Sequence, residues 1–528
     1  MKPINDLVNP LLTDLYQLTM IYTYWKNGRA GDSAAFDLFF RKNPFGGEFA
    51  IFAGLGEVLC FVESFAFTDE QISYVRSLMP QSEPEFFQWL RKLDCSQLRI
   101  DAIREGTVVF PRVPLIRVEG PLCVAQIIET TLLNLVNYPT LVATNAARFR
   151  MAAGFDKVLL EFGLRRAQGP DGAISASRYC YMGGFDATSN VLAGRLFGIP
   201  VRGTHAHSFV LSYRGLSDLR ERMIKDTTGH TVDFVEKVLH MRTTLGGNSN
   251  EEELAAFIAY AQAFPENFLA LVDTYDTLSS GVPNFICVAT VLKSLGYEPV
   301  GIRLDSGDLS YLSKRARRMF ADSGEKTGYD ISGCLITASN EIDEDVLMSL
   351  HKEGHEVDVF GIGTHLVTCS AQPALGAVYK LVEIDGEPRI KLTQDIEKVT
   401  IPGRKDAYRL YGSDGRAILD LLVQHGDAPP VTGKRVLCRH PFNALKRVYV
   451  TPAAVVPLYA TVWESGRGPD EPVTLQKTRQ YVLEQLNDIR ADHLRLNNPT
   501  PYKVSLSDTL YGYVHDLWEK EATIAELG

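Results

Sequence analysis

Between residues 157 and 382, short apolar runs rich in β-branched and aromatic residues alternate with helix-period segments, and this alternation constrains the fold more than anything else in the chain. The strand-like runs are Lys157–Phe162, Ile199–Gly203, Phe268–Asp273, Pro299–Leu304, Cys334–Thr337, Val357–Phe360 and Ala377–Val382. Helical patterns at Ala187–Phe197, Val282–Leu295, Leu309–Ala321 and Ile342–Lys352 lie between several of them. Strands separated by helices pair in parallel through right-handed crossovers. Seven such runs suit a closed α/β barrel better than an open sheet, although periodicity alone leaves closure open.

The flanking segments read differently. Residues 9–25 predict an amphipathic helix capped at Asn9 or Thr13, with Leu11, Leu15, Leu18 and Tyr22 on one stripe. Short β-type runs follow at Ala34–Phe40, Phe49–Phe52, Val108–Phe110 and Leu115–Val118. Gln126–Ala153 predicts a long helix, bent or broken at Pro139. Beyond about Leu392 the alternation stops, and hairpin-like strands run to about Val462, followed by a charged helix over Thr474–Leu496. Lys391, Lys398, Arg404 and Lys405 surround Thr400-Ile401-Pro402-Gly403, either as a solvated loop or as an anion clamp.

In a parallel barrel the C-terminal strand ends converge on one face, so their side chains share one pocket. Here those ends carry Glu161-Phe162-Gly163-Leu164-Arg165-Arg166, Thr204–Ser208, Asp273–Asp276, Arg303–Asp308, Ser339-Asn340-Glu341 and Gly361–His365. They offer arginines for phosphates (Arg165, Arg166, Arg303) and carboxylates for hydroxyls or a metal ion (Asp273, Asp305, Asp308). His205 and His207 add imidazoles that exchange protons near neutrality and act as nucleophiles; position alone leaves the two equivalent. Gly361-Ile362-Gly363-Thr364 is either a phosphate cradle or a tight turn. The set suits a phosphorylated sugar reacting at its anomeric carbon. None of these strand ends carries a lysine, which disfavours a Schiff-base aldolase, and no HExxH, GxSxG or Walker A sequence competes.

Composition removes several other classes. With 528 residues the chain has room for two or three domains, and 45% hydrophobic with 22% charged residues is ordinary for a globular protein. A net charge of −10 argues against a nucleic-acid partner, so anionic substrates must be met by local arginines. The eight cysteines are scattered without a CxxC pair, as expected of reduced thiols. The opening MKPINDLVNPLLTDLY lacks a secretory apolar core and no run is long enough to span a membrane, so the expected location is cytoplasmic, without membrane association.

Ten segments, in order, resemble the nicotinate phosphoribosyltransferase family. They are NPLLTDLYQLTM (Asn9–Met20), EFGLRRAQG (Glu161–Gly169), GGFDATSNVLAG (Gly183–Gly194), GTHAHSF (Gly203–Phe209), VDTYDT (Val272–Thr277), GIRLDSGDL (Gly301–Leu309), SNEIDE (Ser339–Glu344), FGIGTHLVT (Phe360–Thr368), KVTIPGRKDAYRLY (Lys398–Tyr411) and NPTPYKVSLS (Asn498–Ser507). His205 departs from the pattern, where relatives often carry Met or Leu; Ala206-His207-Ser208 keeps it.

The resemblance implies an irregular TIM-like α/β barrel of the type II phosphoribosyltransferase kind, over residues 131–390. An accessory α/β domain built from 1–130 and 391–528 would complete the fold. It further implies a homodimer with shared active sites, and synthesis of nicotinate mononucleotide and pyrophosphate from nicotinate and phosphoribosyl pyrophosphate, on the way to NAD. ATP would be a coupled co-substrate acting through a phosphohistidine at His207, and Mg²⁺ the cofactor. His207, Asp273 and Asp305 would be catalytic. Arg303 would grip the nicotinate carboxylate, while Phe162 and the second subunit's Tyr16 sandwich the ring. Arg165, Thr204, Gly361, Gly363 and Thr364 would contact the phosphoribosyl group. Two rival readings remain: nicotinamide as acceptor, and an inactive scaffold or signalling relative, against which intact Arg303, Asp305 and His207 speak.

Overall fold

The computed structural model of the chain describes residues 4–391, 399–469, 471 and 473–521; Lys398 lies outside the described residues. Two compact units emerge, Arg148–Ser370 and a second made of Met1–Ala147 with Ala371–Gly528.

The Arg148–Ser370 unit is built on a six-stranded sheet. Its order is Leu269–Leu271, Gly301–Leu304, Leu335–Ala338, Val359–Ile362, Val158–Glu161 and Ala187–Thr188. All five neighbouring pairs are parallel. A parallel sheet is covered on both faces, which is why these strands read as almost unbroken apolar runs. Leu159, Ala270, Ile302, Ile336 and Phe360 are buried accordingly. Helices begin where a side chain accepts the orphan N–H groups of the first turn. Asn190 accepts from Ala193, Asp308 from Tyr311 and Asp343 from Val346, at 2.8–3.2 Å. Asp308 thus serves as the cap of the helix that begins at Leu309. Gly301, at φ +152°, lies against the Leu335 carbonyl, with no room for a Cβ between the two strands.

Three expectations are corrected here. Ala187–Phe197 is not one helix: Ala187–Thr188 is a strand, and the helix begins at Val191 behind the Asn190 cap. Ile199–Gly203 is not a regular strand, because Pro200 has no N–H for a ladder. It forms one parallel bridge, Thr188 to Val201, and on its other side uses side chains: Thr204 Oγ1 donates to the Leu269 carbonyl at 3.0 Å. Ala377–Val382 belongs to the other unit, where Ala377–Ile384 pairs antiparallel with Ser33–Phe40.

The second unit contains two further six-stranded sheets. In the first, Ser33–Phe40 lies between Ala377–Ile384 and Ile116–Pro121, and all pairs are antiparallel. In the second, Ala417–Gln424 pairs antiparallel with Lys405–Tyr411 and parallel with Lys503–Ser507. Glu129–Ala153 is one continuous helix despite Pro139. The next turn is stitched to a neighbouring loop instead: the Thr140 hydroxyl bonds both the N–H and the carbonyl of Ala53, each at 3.1 Å. The first helix is Leu15–Lys26, starting later than expected, with Gln17, Leu18 and Ile21 buried while Leu15 and Tyr16 are exposed. Asp14 occupies its N-cap position without a side-chain bond to the first turn, its carboxylate accepting instead from Thr130 at 3.2 Å, in place of the expected Asn9 or Thr13.

Buried ion pairs run through this unit. Arg409 binds Asp420 through two nitrogens at 2.8 and 2.9 Å, and Tyr502 donates to the same carboxylate at 3.0 Å. Lys405, 1% exposed, pairs with Asp37. Arg404 contacts Glu119 at 3.3 Å and Glu383 at 2.9 Å. The cations at 404 and 405 are therefore already neutralised from within; neither the solvated loop nor an open anion clamp describes them.

Burial pulls the Lys405 ammonium below its ordinary pKa, and Asp37 holds it charged. Removing one partner of such a pair strands the other charge. Asp37→Ala is expected to cost about 3–5 kcal/mol in urea unfolding, and Asp37→Leu with Lys405→Met to recover most of it.

Candidate active site

The C-terminal ends of the parallel strands bring the chemistry together within the Arg148–Ser370 unit. Arg303, last but one in its strand, stands in register with Thr337, and Asp305 follows directly after the strand. The guanidinium is held at three points. Nε donates to Ser339 Oγ at 3.0 Å, Nη1 to the His205 carbonyl at 3.4 Å, and Nη2 lies 3.4 Å from Asp305 Oδ1. Ser339 also donates to Asp305, so the hydroxyl ties cation and carboxylate together. An arginine has five N–H groups, and these contacts leave one donor on each terminal nitrogen. The guanidinium carbon lies 5.9 Å from the centre of the Phe162 ring, within cation–π range.

His207 opens the short helix His207–Val210. Its Nδ1 is 3.1 Å from Thr274 Oγ1, and its Nε2 faces two carboxylates, Asp305 Oδ2 at 3.6 Å and Asp273 Oδ1 at 3.9 Å. Asp273 is anchored by Ser306, whose hydroxyl donates to Oδ2 at 2.6 Å. Its Oδ1 is buried without a hydrogen-bond partner among the described residues. The two carboxylates and the imidazole thus surround a point that would accept positive charge.

The two histidines are not equivalent. His205 is buried, and its Nε2 accepts the Leu271 N–H at 3.2 Å, beside Phe209, Phe257 and Tyr260. Burial lowers its pKa from 6.5 to about 4, so the ring is neutral and one nitrogen is spent on the backbone. It carries sheet structure, whereas His207 stands partly open to solvent.

Of the remaining candidates, Gly361 lies on a neighbouring strand and the others lie beyond strand ends or, for Tyr16, in the other unit. Gly361 cannot carry a side chain because the Phe162 ring occupies the place of its Cβ. Gly363 follows and Thr364 opens the short helix Thr364–Val367, and Arg166 Nη1 is 3.4 Å from Thr364 Oγ1. Arg165 is exposed on the turn Leu164–Arg166. The Thr204 hydroxyl is engaged with the Leu269 carbonyl. Tyr16 is exposed on a helix of the other unit.

Sequence reasoning assigned no role to Glu161, Thr274, Ser306, Ser339 or Glu253. Glu161, buried at the end of an apolar strand, accepts from Ser177 at 2.7 Å, Thr188 at 2.5 Å and the Gly163 N–H. A carboxylate closing an apolar strand is itself a signal, because a buried charge needs such partners. Glu253 sits behind the Asp273–Ser280 segment and accepts from Ser280 at 2.6 Å and Asn284 at 3.0 Å. Burial raises its pKa to about 7 against those hydrogen bonds, and Asp273 and Asp276 push the same way. Among the described residues no cluster of three or more His, Cys, Asp or Glu side chains forms a metal cage, and no helix is long and apolar enough to cross a membrane.

Comparison with known proteins gives a consistent result. Residues 11–137 match the nicotinate phosphoribosyltransferase N-terminal domain and residues 404–514 the C-terminal domain. A nicotinate phosphoribosyltransferase of Dictyostelium discoideum is 55% identical over 535 residues, covering 100% of this chain and 91% of the relative. Nicotinate phosphoribosyltransferase 1 of Arabidopsis thaliana is 53% identical over 539 residues, covering 99% and 96%. The crystal structure of human nicotinic acid phosphoribosyltransferase superimposes with a TM-score of 0.86 at 44% identity, over 96% of this chain and 99% of that one.

The lowered pKa of His205 has a defined sign. The unfolded chain binds its proton below pH 6.5 while the folded chain refuses it until about pH 4. The His205 contribution to stability is therefore complete above 6.5 and falls by about 3 kcal/mol on the way down to 4. His205→Gln, which keeps an acceptor for the Leu271 N–H, should remove that share of the acid loss. Urea midpoints compared at pH 7.5 and 5.0 will show it as a wild-type deficit confined to the lower pH.

Proposed function

The chain belongs to the nicotinate phosphoribosyltransferase family, and from that premise we propose that it joins nicotinate to the anomeric carbon of phosphoribosyl pyrophosphate, releasing pyrophosphate and forming nicotinate mononucleotide for NAD synthesis. The observation that carries this reading is the Arg303 fork, fixed at three points beside Phe162 with a donor left on each terminal nitrogen. A donor on each terminal nitrogen beside an aromatic ring suits a flat aromatic acid, and a neutral amide would gain less from them. Tyr16 of a second copy would close the other side of the ring in a homodimer with shared sites.

In the transfer, the bond from the anomeric carbon to the pyrophosphate oxygen breaks and the pyridine nitrogen forms the new bond to that carbon. The carbon carries positive charge in between. Asp273 and Asp305 are suited to stabilise that charge without bonding to it, Asp273 through its unpartnered Oδ1. Arg165, Arg166, Gly363 and Thr364 would meet the ribose phosphate, and Thr204 and Gly361 would shape the wall behind it. The segment from Val201 to His205, hydrogen-bonded toward strands on both sides, would close the sheet into an irregular barrel.

ATP is proposed as a coupled co-substrate. Thr274 holds His207 Nδ1, which leaves Nε2 as the nucleophile. Nε2 bonds to the γ-phosphorus, the bond to the β-phosphate oxygen breaks, ADP leaves, and water later releases phosphate from the imidazole. Nε2 faces carboxylates, and that donor set fits Mg²⁺ held largely by substrate oxygens and water. When bound, the ion supplies charge neutralisation between phosphate and carboxylate. A cytoplasmic location accords with this chemistry.

Product analysis with nicotinate or nicotinamide, phosphoribosyl pyrophosphate, and ATP present or absent tests the reading directly; turnover of the amide alone, or of neither, overturns it. Arg303→Ala should raise the KM for nicotinate at least tenfold more than that for phosphoribosyl pyrophosphate, since one charge-assisted pair is worth about 1.5–3 kcal/mol. Equal effects would move Arg303 to a phosphate role. With γ-labelled ATP and alkaline handling, His207→Ala should lose both label and ATP stimulation. His205→Gln should keep both, and label that vanishes there instead would reverse the assignment.

A further inference from the structure

The unit made of residues 1–147 and 371–528 contains a cavity of about 590 Å³, within the range of small-molecule sites. None of the residues assigned to the transfer reaction lines it. Its wall carries the cations Arg112, Lys446, Arg447 and Lys503 against one carboxylate, Glu48. In a chain of net charge −10 such a local excess of positive charge is not a composition effect.

The donors are also built rather than incidental. Arg112 has φ +71°, a left-handed conformation that a non-glycine residue keeps only when its surroundings enforce it. Its N–H donates to the Phe40 carbonyl at 2.8 Å, and its guanidinium stacks 4.5 Å from the Phe442 ring centre. His440 Nδ1 accepts the Phe442 N–H at 3.2 Å, so the neutral ring has its proton on Nε2, as a donor. Burial, then Lys446 and Arg112, hold its pKa below 6.5. Lys446, Arg447 and Lys503 are exposed and form an entrance that attracts anions, while Tyr502 and Val504 give part of the wall an apolar surface.

We propose that this cavity binds a phosphorylated small molecule of about nucleotide size, its phosphate held by Arg112, Lys446 and His440 and its uncharged body lying against Tyr502 and Val504. Arginine and lysine supply the charge-assisted donors a phosphate dianion requires. The apolar wall distinguishes an organic phosphate from the bare ion.

Calorimetric titration of the full-length protein with adenosine 5′-monophosphate, adenosine and inorganic phosphate tests this. Adenosine monophosphate should bind, adenosine and phosphate each at least tenfold more weakly, with affinity for the monophosphate falling as salt rises. Arg112→Gly deletes the cation and relieves the left-handed backbone, so it should melt no lower than wild type while weakening this binding at least tenfold. Lys446→Ala with Arg447→Ala, both at exposed positions, should weaken it likewise and decides the matter if Arg112→Gly melts early. Asp305→Asn, at the strand-end site, should retain it. No binding by any probe, binding unchanged in the Arg112 and Lys446/Arg447 variants, or adenosine binding as well as its monophosphate would overturn the proposal. Phosphate binding as tightly as the nucleotide would overturn the organic body.

Discussion

The hydrogen bond from the Leu271 N–H to His205 Nε2 is the contact on which the reacting groups depend. Beyond the single backbone bridge to Thr188, the chain between Val201 and His205 has no ladder on the side that faces Leu269–Leu271. Two side-chain bonds, Thr204 to the Leu269 carbonyl and His205 to the Leu271 N–H, replace it. Once they set the register of this segment, the His205 carbonyl reaches Arg303 and His207 reaches Thr274, Asp273 and Asp305. One buried imidazole thereby aims another. The division of labour follows from burial: the His205 ring, surrounded by aromatic side chains, stays neutral, while the His207 ring stands partly open to solvent beside two carboxylates.

Much of this was legible because burial on both faces leaves a clear mark on a parallel strand. VLLE, LAL, GIRL, LITA and VFGI are short apolar runs set between helix-period segments, and the polar residues just beyond them announce the working face. Ala377–Val382 carries the same local mark, yet its partner, Ser33–Phe40, lies more than 300 residues away, and direction of pairing is not written in a single run. Arg404 and Lys405 misled for a related reason. A cation shows its charge in sequence but not its neutraliser, and here Asp37, Glu119 and Glu383 come from distant strands. Asp308 stood in sequence beside Asp305 as a further carboxylate, and only the helix beginning at Leu309 shows that it also serves as a cap.

The residues that sequence reasoning passed over share a character. Ser306 and Thr274 are hydroxyls that each orient one side chain of the site, Ser339 is a hydroxyl that orients two, and Glu161 gathers two hydroxyls and a backbone N–H. Such residues have no reactivity of their own to advertise. Their value is geometric: Ser339 binds both Arg303 and Asp305, so the distance between cation and carboxylate is fixed before any ligand arrives. Preorganisation of this kind is invisible in a motif and plain in the hydrogen bonds of the folded chain.

Glu253 and His205 together give the Arg148–Ser370 unit an unusual proton inventory. Between about pH 4.5 and 6.5 the folded chain keeps the proton on the Glu253 carboxyl, whose pKa is about 7, and leaves the His205 ring bare at about 4. On unfolding, the carboxyl reverts to 4.5 and releases its proton, while the imidazole reverts to 6.5 and takes one up. For these two groups the exchange is internal, from carboxyl to imidazole, with no net traffic to solvent. Their contribution to unfolding in that window is therefore indifferent to the choice of buffer, and its heat carries no buffer ionisation enthalpy, even though each group taken singly is a strong source of pH dependence.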